Sequence, residues 1–288
     1  MGSTELFDHL ARRERDYDLV CFAPYLFGTT LGGVPLVPGR AVLIPCLHDE
    51  PFAHLGVVRA AFQASRGFIF NSPPEAALAD KLYGIGDRPA GVVGPRLRSA
   101  AARRSRGVPS APRPRGTAPR LPRPEGDGQE RAPPDRVRAP LPRPPPRGPH
   151  AGPRRRRTGH RAARHPGGSR SRLPRRLAAK AAAYAAAAVV CQPSVNESFS
   201  IVLMEAWLAG TPVLVHARCS VTTHHVFRAG GGLAFEDFYE FAEALDLLLE
   251  DGERRRRLGS QGRAYVETVY SWPAVTARLR ETLERLVA

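Results

Sequence analysis

One segment of the chain, residues 95–176, has a composition that limits what the whole sequence can fold into. It holds 18 of the 29 prolines and 24 arginines, but no lysine and only four acidic residues. No aromatic residue occurs between Tyr83 and Tyr184. Such a stretch cannot bury enough apolar surface to offset the entropy lost on ordering, so we expect it to be disordered in isolation. It separates residues 1–94 from residues 177–288.

The basic character of the chain comes from the same segment. Its 24 arginines and four acidic residues amount to +20 against a total of +16, which leaves −4 for the remainder. A basic tract of this kind suits nucleic acid or an acidic surface. One hypothesis is therefore a basic interaction protein whose Arg-rich segment binds nucleic acid. Its plainer version is a solvated, charged linker.

The rest of the sequence favours a soluble protein of a reducing compartment. The four cysteines are far apart and form no CxxC pair, which argues against a disulfide framework and against a metal site. No basic-then-apolar secretion signal opens the sequence, and no apolar run approaches the roughly 20 residues that span a bilayer. We expect a cytoplasmic location, with peripheral membrane contact left open.

Residues 1–94 alternate strand-like and helix-like runs, which is the pattern of α/β layers. Near-continuous apolar strings of strand length predict parallel strands covered on both faces, at 18–22, 41–44 and 67–70. Helices are predicted at 5–15, at 52–64 and from the Pro73-Pro74 pair onward. No strand with a glycine-rich loop precedes the first helix, so a doubly wound domain here would lack its first part.

Residues 177–288 return to α/β character. Strands are predicted at 189–191, 213–215 and 233–235, the last after a Gly230-Gly231-Gly232 turn. Helices are predicted at 177–187, 199–209, 237–250, 252–268 and 272–286. Ser271 is the expected N-cap of the last helix, with a proline in its first turn.

The most informative string begins at Pro193 and reads PSVNESFSIVLMEAWLAGTP. It lies where a predicted strand ends and a helix begins, which is where open α/β sheets bind ligands. At that junction the free N–H groups of Ser198, Phe199 and Ser200, together with the helix dipole, favour an anion such as a pyrophosphate. The string therefore predicts a ligand site at this sheet edge.

Two glutamates flank the start of that helix. Glu197 precedes the helix, and Glu205, eight residues further on, would be rotated by only about 80° from it at 3.6 residues per turn. Both carboxylates could then address one cleft, and each could accept hydrogen bonds from the paired hydroxyls of a ribose or a hexose. A bare pair at this spacing is usually two solvated helix charges, so the surrounding residues decide between the two interpretations.

Those residues resemble the retaining glycosyltransferases of family four, whose GT-B fold carries an E-x7-E element at this position. The similarity continues through Gly230 and through GRAYVETVYSW, and so covers essentially all of residues 178–288. It implies two Rossmann-type domains facing a cleft, with the N-terminal domain incomplete. It also implies transfer of a hexose, with retention, from a nucleotide diphosphate sugar to a hydroxyl of a glycan, lipid or small molecule. No metal or other cofactor is implied.

The resemblance also implies roles for single residues. Glu197 should lie beside the transferred sugar as a catalytic residue, Glu205 should bind the ribose, and the amides after Glu197 should approach sugar or phosphate. His48, in the string PCLHDE after a predicted strand, resembles the histidine of the family's N-terminal half that faces the donor sugar. The alternative is a turn histidine, with Asp49 capping the next helix.

Two further sets of polar residues receive structural interpretations. Asn71, Ser72 and Glu75 also resemble the family's N-terminal half, but we interpret them as caps and turns. The pair His224-His225 lacks partners at metal-ligand spacing, so no metal site is predicted there.

The sequence departs from the family between its two halves. There the family would place an arginine and a following lysine that clamp the donor diphosphate, whereas residues 95–176 contain no lysine. The sharp edges of this segment, and 41 arginines against two lysines in the whole chain, motivate a hypothesis about its origin. A compensated pair of reading-frame shifts in a GC-rich gene would produce such a composition. We therefore expect weak or no transfer activity from this chain.

Overall fold

The computed structural model describes residues 3–95, residue 97 and residues 172–288, with only the backbone described for 172–177. The segment predicted to be disordered, 95–176, lies almost wholly outside these residues. Two parallel sheets and the helices around them belong to one compact unit.

The first sheet has four parallel strands in sequential order. They are β1 (Val20–Phe22), β2 (Ala41–Leu43), β3 (Gly67–Phe70) and β4 (Ala90–Val92). The helices of this half are α1 (Thr4–Arg13), α2 (Gly28–Gly33), α3 (Gly56–Ala64) and α4 (Pro73–Tyr83). Short 3-10 turns occupy Glu14–Asp16, Val34–Leu36 and Pro51–His54. All residues of β2 and β3 are buried, as the continuous apolar runs predicted.

The second sheet has three parallel strands, again in sequential order. They are β5 (Val190–Gln192), β6 (Val213–His216) and β7 (Gly232–Phe235). Its helices are α5 (Arg172–Ala186), α6 (Ile201–Leu208), α7 (Ser220–Ala229), α8 (Phe238–Glu250), α9 (Gly252–Val269) and α10 (Trp272–Val287). Ser271 caps α10 as predicted, since its side chain accepts a hydrogen bond from the Ala274 N–H.

The structure differs from the sequence prediction in several elements, and helix α2 and strand β4 were not predicted at all. The helix predicted at 52–64 is split, because Leu55 is extended between the 3-10 turn and α3. The helix predicted at 199–209 begins only at Ile201, because Ser200 adopts the left-handed conformation at its N-cap. Helix α7 was not predicted, since its polar stretch of threonines and histidines shows no clear apolar period.

Trp207 forms the centre of the second half. Its side chain is fully buried, and its indole N–H donates to the Gly231 carbonyl at 2.8 Å. A Cβ atom at Gly231 or at Gly262 would overlap the indole ring. Tyr265 meets the ring edge-on, with 5.9 Å between centroids. Helices α6 and α9 therefore pack closely because glycines leave room for the largest side chain of this core.

The last helix joins the second half to the first sheet. Arg278 on α10 donates to the Val93 carbonyl at 2.8 Å, and the Arg66 Nε donates to the Leu286 carbonyl at 2.6 Å. Gly91 in β4 faces Thr282, and a Cβ atom there would overlap that side chain. One buried apolar cluster consequently includes residues of both sheets: Val42, Ile69 and Val93 with Val213 and Val215.

Replacement of Gly262 by alanine should therefore destabilise the fold. The added methyl group must displace the Trp207 ring, and such overpacking lowers the free energy of unfolding by about 1–3 kcal/mol. Gly252, in the first turn of the same helix, is the matched control, because its Cβ would meet only side-chain atoms at ordinary contact distance. Urea denaturation measures both variants. Equal stability of Gly262→Ala and Gly252→Ala would contradict this account of the core.

Candidate active site

A cleft of about 750 Å³ opens where the strands of both sheets end. The loop after β2 and one face of α4 form one wall, and the loops after β5 and β6, with the start of α7, form the other. The lining residues are Leu47, His48, Asp49, Pro74, Glu75, Ala77, Leu78, Lys81, Val195, Asn196, Glu197, Arg218, Cys219, Ser220 and Val221. The carboxyl ends of parallel strands are the usual ligand-binding edge of such sheets.

Glu197 lies on the second wall and is half-buried. The Gln192 side-chain amide donates to its Oε1 at 2.7 Å, which fixes the carboxylate from the end of β5. Burial raises the pKa of Glu197 above its ordinary value of 4.5, and the nearby charge of His48 opposes this rise. One carboxylate oxygen is thus held by the protein while the residue faces the cleft.

His48 lies on the opposite wall, in the loop that follows β2. Its Nδ1 is 3.6 Å from the Glu50 Oε1, and the same oxygen accepts a hydrogen bond from the Tyr25 hydroxyl at 2.7 Å. Burial and this hydrogen bond raise the pKa of Tyr25. His48 and Glu197, both predicted from the sequence, therefore line one cleft from opposite sides. In the turn interpretation of His48, Asp49 would cap the next helix. The Asp49 Oδ1 instead lies 3.2 Å from the Nε2 of His54.

The three residues after Glu197 direct side chains or carbonyl groups towards the protein interior. They are Ser198, Phe199 and Ser200. The Ser198 carbonyl accepts a hydrogen bond from Ser72 at 3.0 Å. The Phe199 ring is buried and meets His225 and Tyr270 edge-on, at 5.0 and 4.9 Å between centroids. The Ser200 hydroxyl is buried without a hydrogen-bond partner among the described residues. None of these three residues is among those that line the cleft, although Glu197 directly before them is.

Glu205 contacts helix α5 and is absent from the residues that line the cleft. The Lys180 Nζ lies 2.6 Å from its Oε2, and the Tyr184 hydroxyl donates to the same oxygen at 3.4 Å. The hydrogen bond to Glu205 raises the pKa of Lys180. The lining of the cleft therefore includes Glu197 but not Glu205, whose carboxylate is paired with a cation from the preceding helix.

Asn71, Ser72 and Glu75 form the turn that starts α4, as the cap interpretation predicted. The Ser72 hydroxyl accepts the Glu75 N–H at 3.3 Å. Glu75 is itself almost fully buried, and its carboxylate accepts the N–H groups of Leu47 and Asn71. Burial raises the pKa of Glu75 to about 7, although these backbone hydrogen bonds oppose the rise.

Strained backbone occurs beside both walls. Within the described part of the chain, Cys46 and Ser200 are the two residues other than glycine with positive φ, at 54° and 66°. Left-handed conformations of such residues cost about 1–2 kcal/mol each and concentrate at functional sites. Sequence reasoning missed both, because neither residue type signals the left-handed region as glycine would.

His225 is a buried residue behind the second wall that the sequence did not single out for this position. Its Nδ1 is 3.1 Å from the Tyr265 hydroxyl, and its Nε2 has no hydrogen-bond partner among the described residues. Burial lowers its pKa to about 3. No group of three or more potential metal ligands occurs within residues 3–95, 97 and 172–288, and no helix there has the length and apolar character needed to cross a bilayer.

The two parallel sheets and the cleft at their strand ends define an α/β protein with a candidate ligand site at the carboxyl edge of the strands. The comparisons with known proteins are more specific. Residues 151–265 match the family described as "Glycosyl transferases group 1". The C-terminal part of the chain therefore carries a glycosyltransferase group 1 domain.

Named relatives resemble part of the chain. The chain is 37% identical over 117 residues to D-inositol 3-phosphate glycosyltransferase of Corynebacterium glutamicum, a match that covers 40% of this chain and 28% of the relative. It is 34% identical over 111 residues to MMP alpha-(1->4)-mannosyltransferase of Mycolicibacterium hassiacum, covering 38% of this chain and 27% of the relative. The matched region thus spans little more than a quarter of the length of these relatives.

Solved structures extend the likeness to both halves. Sucrose-phosphate synthase from Thermosynechococcus elongatus has a TM-score of 0.59 at 16% identity, covering 99% of this chain and 80% of that one. Anabaena Alr3699/HepE, crystallised with UDP, has a TM-score of 0.59 at 13% identity, covering 97% and 82%. At these identities the likeness establishes the fold. The predicted α/β, GT-B-like class is confirmed.

The burial of His225 should make the protein sensitive to acid. The pKa of His225 falls from 6.5 to about 3 on folding. The contribution of His225 to the free energy of unfolding is therefore complete above pH 6.5 and is lost as the pH falls towards 3. As the pH is lowered from 6.5 to 3, the free energy of unfolding of His225→Phe should therefore decrease less steeply than that of the wild type, by about 1 kcal/mol per pH unit. Chemical denaturation at a series of pH values measures both slopes.

The matched control is His54→Phe, because the side chain of His54 is 57% exposed. This variant should keep the wild-type slope. Identical slopes for His225→Phe and the wild type would show that the buried imidazole does not cause the acid sensitivity.

Proposed function

We propose that this chain is a glycosyltransferase of the retaining family four. It would transfer a hexose from a nucleotide diphosphate sugar to an acceptor hydroxyl of a glycan, lipid or small molecule. The observation that carries the proposal is the placement of Glu197 and His48 on opposite walls of one cleft at the strand ends of both sheets. Glu197 also lies within the region that matches the glycosyltransferase family.

The chemistry of the two residues fits this reaction. Breaking the bond between the sugar and the diphosphate leaves positive charge on the sugar ring, which the Glu197 carboxylate would stabilise. Gln192 holds one oxygen of that carboxylate and keeps its orientation fixed. His48 would hydrogen-bond a sugar hydroxyl from the other wall, supported by Glu50. No metal ion or other cofactor is required by this scheme.

Donor binding would use the start of α6. The backbone amides after Glu197 would approach sugar or phosphate oxygens, as helix N-termini do. Glu205 would bind ribose hydroxyls through Oε1, since Lys180 and Tyr184 contact Oε2. Lys81 and Arg218 line the cleft and are cations that would neutralise a phosphoryl group there.

We expect weak or no transfer, because the sequence offers no counterpart of the family's Arg and Lys clamp between the two halves. The compartment that we propose is the cytoplasm, where the free thiols of Cys21, Cys46, Cys191 and Cys219 stay reduced. The names of the relatives include an inositol phosphate as acceptor, and an acceptor with a phosphate group would suit the same cations.

The proposal is tested by measuring release of nucleotide diphosphate from a panel of nucleotide hexoses by the purified full-length chain. Glu197→Gln should lower kcat by about 100-fold or more, because it removes the negative charge beside the developing cation. Nucleotide affinity should change little. The exposed Glu267, paired with Arg263 at 3.0 Å on α9, provides the matched control Glu267→Gln.

Two further outcomes discriminate between the ideas. Glu205→Gln should weaken UDP or GDP binding by about 10-fold, the usual loss for a charge-assisted hydrogen bond, as measured by calorimetry. Rapid turnover that survives Glu197→Gln would refute the assigned role of that residue. Tight, steeply salt-dependent binding of nucleic acid without any nucleotide-sugar affinity would instead favour the basic interaction protein.

A further inference from the structure

The buried carboxylate of Glu75 joins the ends of two strands. Its Oε1 accepts the Leu47 N–H at 2.7 Å, and its Oε2 accepts the Asn71 N–H at 2.6 Å. Leu47 follows β2 and Asn71 follows β3, and Glu75 itself is only 1% exposed. One side chain therefore connects neighbouring strands beyond the point where their own pairing has ended.

This arrangement differs from an ordinary helix cap. A glutamate three residues after a serine N-cap usually returns to the backbone N–H of that serine. Glu75 occupies this position relative to Ser72 and keeps that backbone hydrogen bond, but its two oxygens also accept hydrogen bonds from Asn71 and from Leu47, 28 residues earlier in the sequence. A carboxylate suits the position because it offers an acceptor to each of two converging N–H groups. The helix-capping role alone does not account for this geometry.

The hydrogen bond to Leu47 acts on the loop that carries His48. Cys46, immediately before Leu47, has a positive φ of 54°, a conformation that persists only when the surroundings fix it. The Asn71 side-chain amide contacts the Cys46 Sγ at 3.4 Å, so the same turn holds both residues. Leu47 is fully buried, and His48 follows it into the cleft. The orientation of His48 therefore depends on contacts made by Glu75 and Asn71.

The same turn also contacts the opposite wall. The Ser72 hydroxyl accepts the Glu75 N–H at 3.3 Å and donates to the Ser198 carbonyl at 3.0 Å. Ser198 directly follows Glu197. The start of α4 thus lies between the loop of His48 and the loop of Glu197, and it is hydrogen-bonded to both.

We propose that Glu75 is a positioning residue of the active site, which sets His48 against Glu197 by fixing the backbone at Leu47 and Asn71. It contacts no substrate in this scheme. The expected effect of Glu75 on catalysis rests on the proposed glycosyl transfer. Its expected effect on the backbone at Leu47 and Asn71 is independent of that function. The two effects are therefore measured separately.

The test compares Glu75→Gln with Asp80→Asn in the full-length chain. Both changes replace a carboxylate by its isosteric amide on α4, and Asp80 also accepts a backbone N–H, that of Gly86 at 3.2 Å, but at the exposed end of the helix. A glutamine offers one acceptor and turns an NH2 group towards the second N–H. Hydrogen exchange of the Leu47 and Asn71 amides should accelerate by about 10-fold in Glu75→Gln alone, the equivalent of one lost buried hydrogen bond.

The catalytic readout separates positioning from general loss of structure. In Glu75→Gln, kcat should fall by about 10-fold while KM for the donor changes less, because Glu197, Glu205 and the backbone amides of the second wall keep their proposed contacts with the donor and only the contact of His48 is displaced. The NMR resonances of the His48 ring should shift in Glu75→Gln and remain unchanged in Asp80→Asn. Exchange in the second sheet, at Val213 for example, should match the wild type and thereby establish that the variant is folded.

Each failure has a distinct meaning. Unchanged exchange at Leu47 and unchanged His48 resonances in Glu75→Gln would overturn the positioning role, whether or not the wild type is active. An equal response of Asp80→Asn would overturn it as well, as would a KM effect without a kcat effect. A wild type without transfer activity but with the predicted exchange and resonance changes would refute the proposed function and retain Glu75 as the residue that orients His48.

Discussion

The packing of α10 against β4 is the contact on which the cleft depends. Arg278 and Val93 are hydrogen-bonded although 185 positions separate them in sequence, and Gly91 leaves room for Thr282 at the same contact. Helix α10 continues from α9, which packs on Trp207 and hence on the helix that follows the Glu197 loop. The strand ends of the first sheet therefore face that loop because the last helix returns to the first sheet.

Much of this arrangement follows from local patterns. Continuous apolar runs gave β2, β3 and β6, and the position of Glu197 and His48 after strands placed both at a sheet edge. These predictions succeed because the apolar pattern of a buried strand, and the edge at which a parallel strand ends, can be recognised from neighbouring residues with almost no knowledge of distant ones.

Contacts between distant residues could not be predicted in the same way. Helical rotation alone suggested that Glu205 shares a cleft with Glu197, but it takes no account of Lys180, which pairs with Glu205 from another helix. The partners of Glu75 lie in two different loops, so its sequence position indicated a cap and nothing more. Helix α6 begins later than predicted because Ser200 is in the left-handed conformation. Tertiary contacts, and not the local sequence, determine that conformation.

Each wall of the cleft has a buried titratable group behind it. Glu75 supports the first wall by accepting backbone hydrogen bonds, and His225 supports the second by packing against Phe199. Burial moves their pKa values in opposite directions, to about 7 for Glu75 and about 3 for His225, because it disfavours the charged form of both an acid and a base. Both loops thus rest on buried polar groups as well as on apolar packing.

The conformation of Ser200 limits the side chains that position 200 accepts. A residue at φ 66° with its side chain buried must be small and must tolerate the left-handed region. Glycine, asparagine and serine meet these conditions to different degrees, whereas a β-branched residue would clash with its own backbone. Most other side chains at position 200 would therefore destabilise the fold, whatever their effect on chemistry. The choice of residue close to Glu197 is consequently restricted by the geometry of the backbone as well as by the proposed reaction.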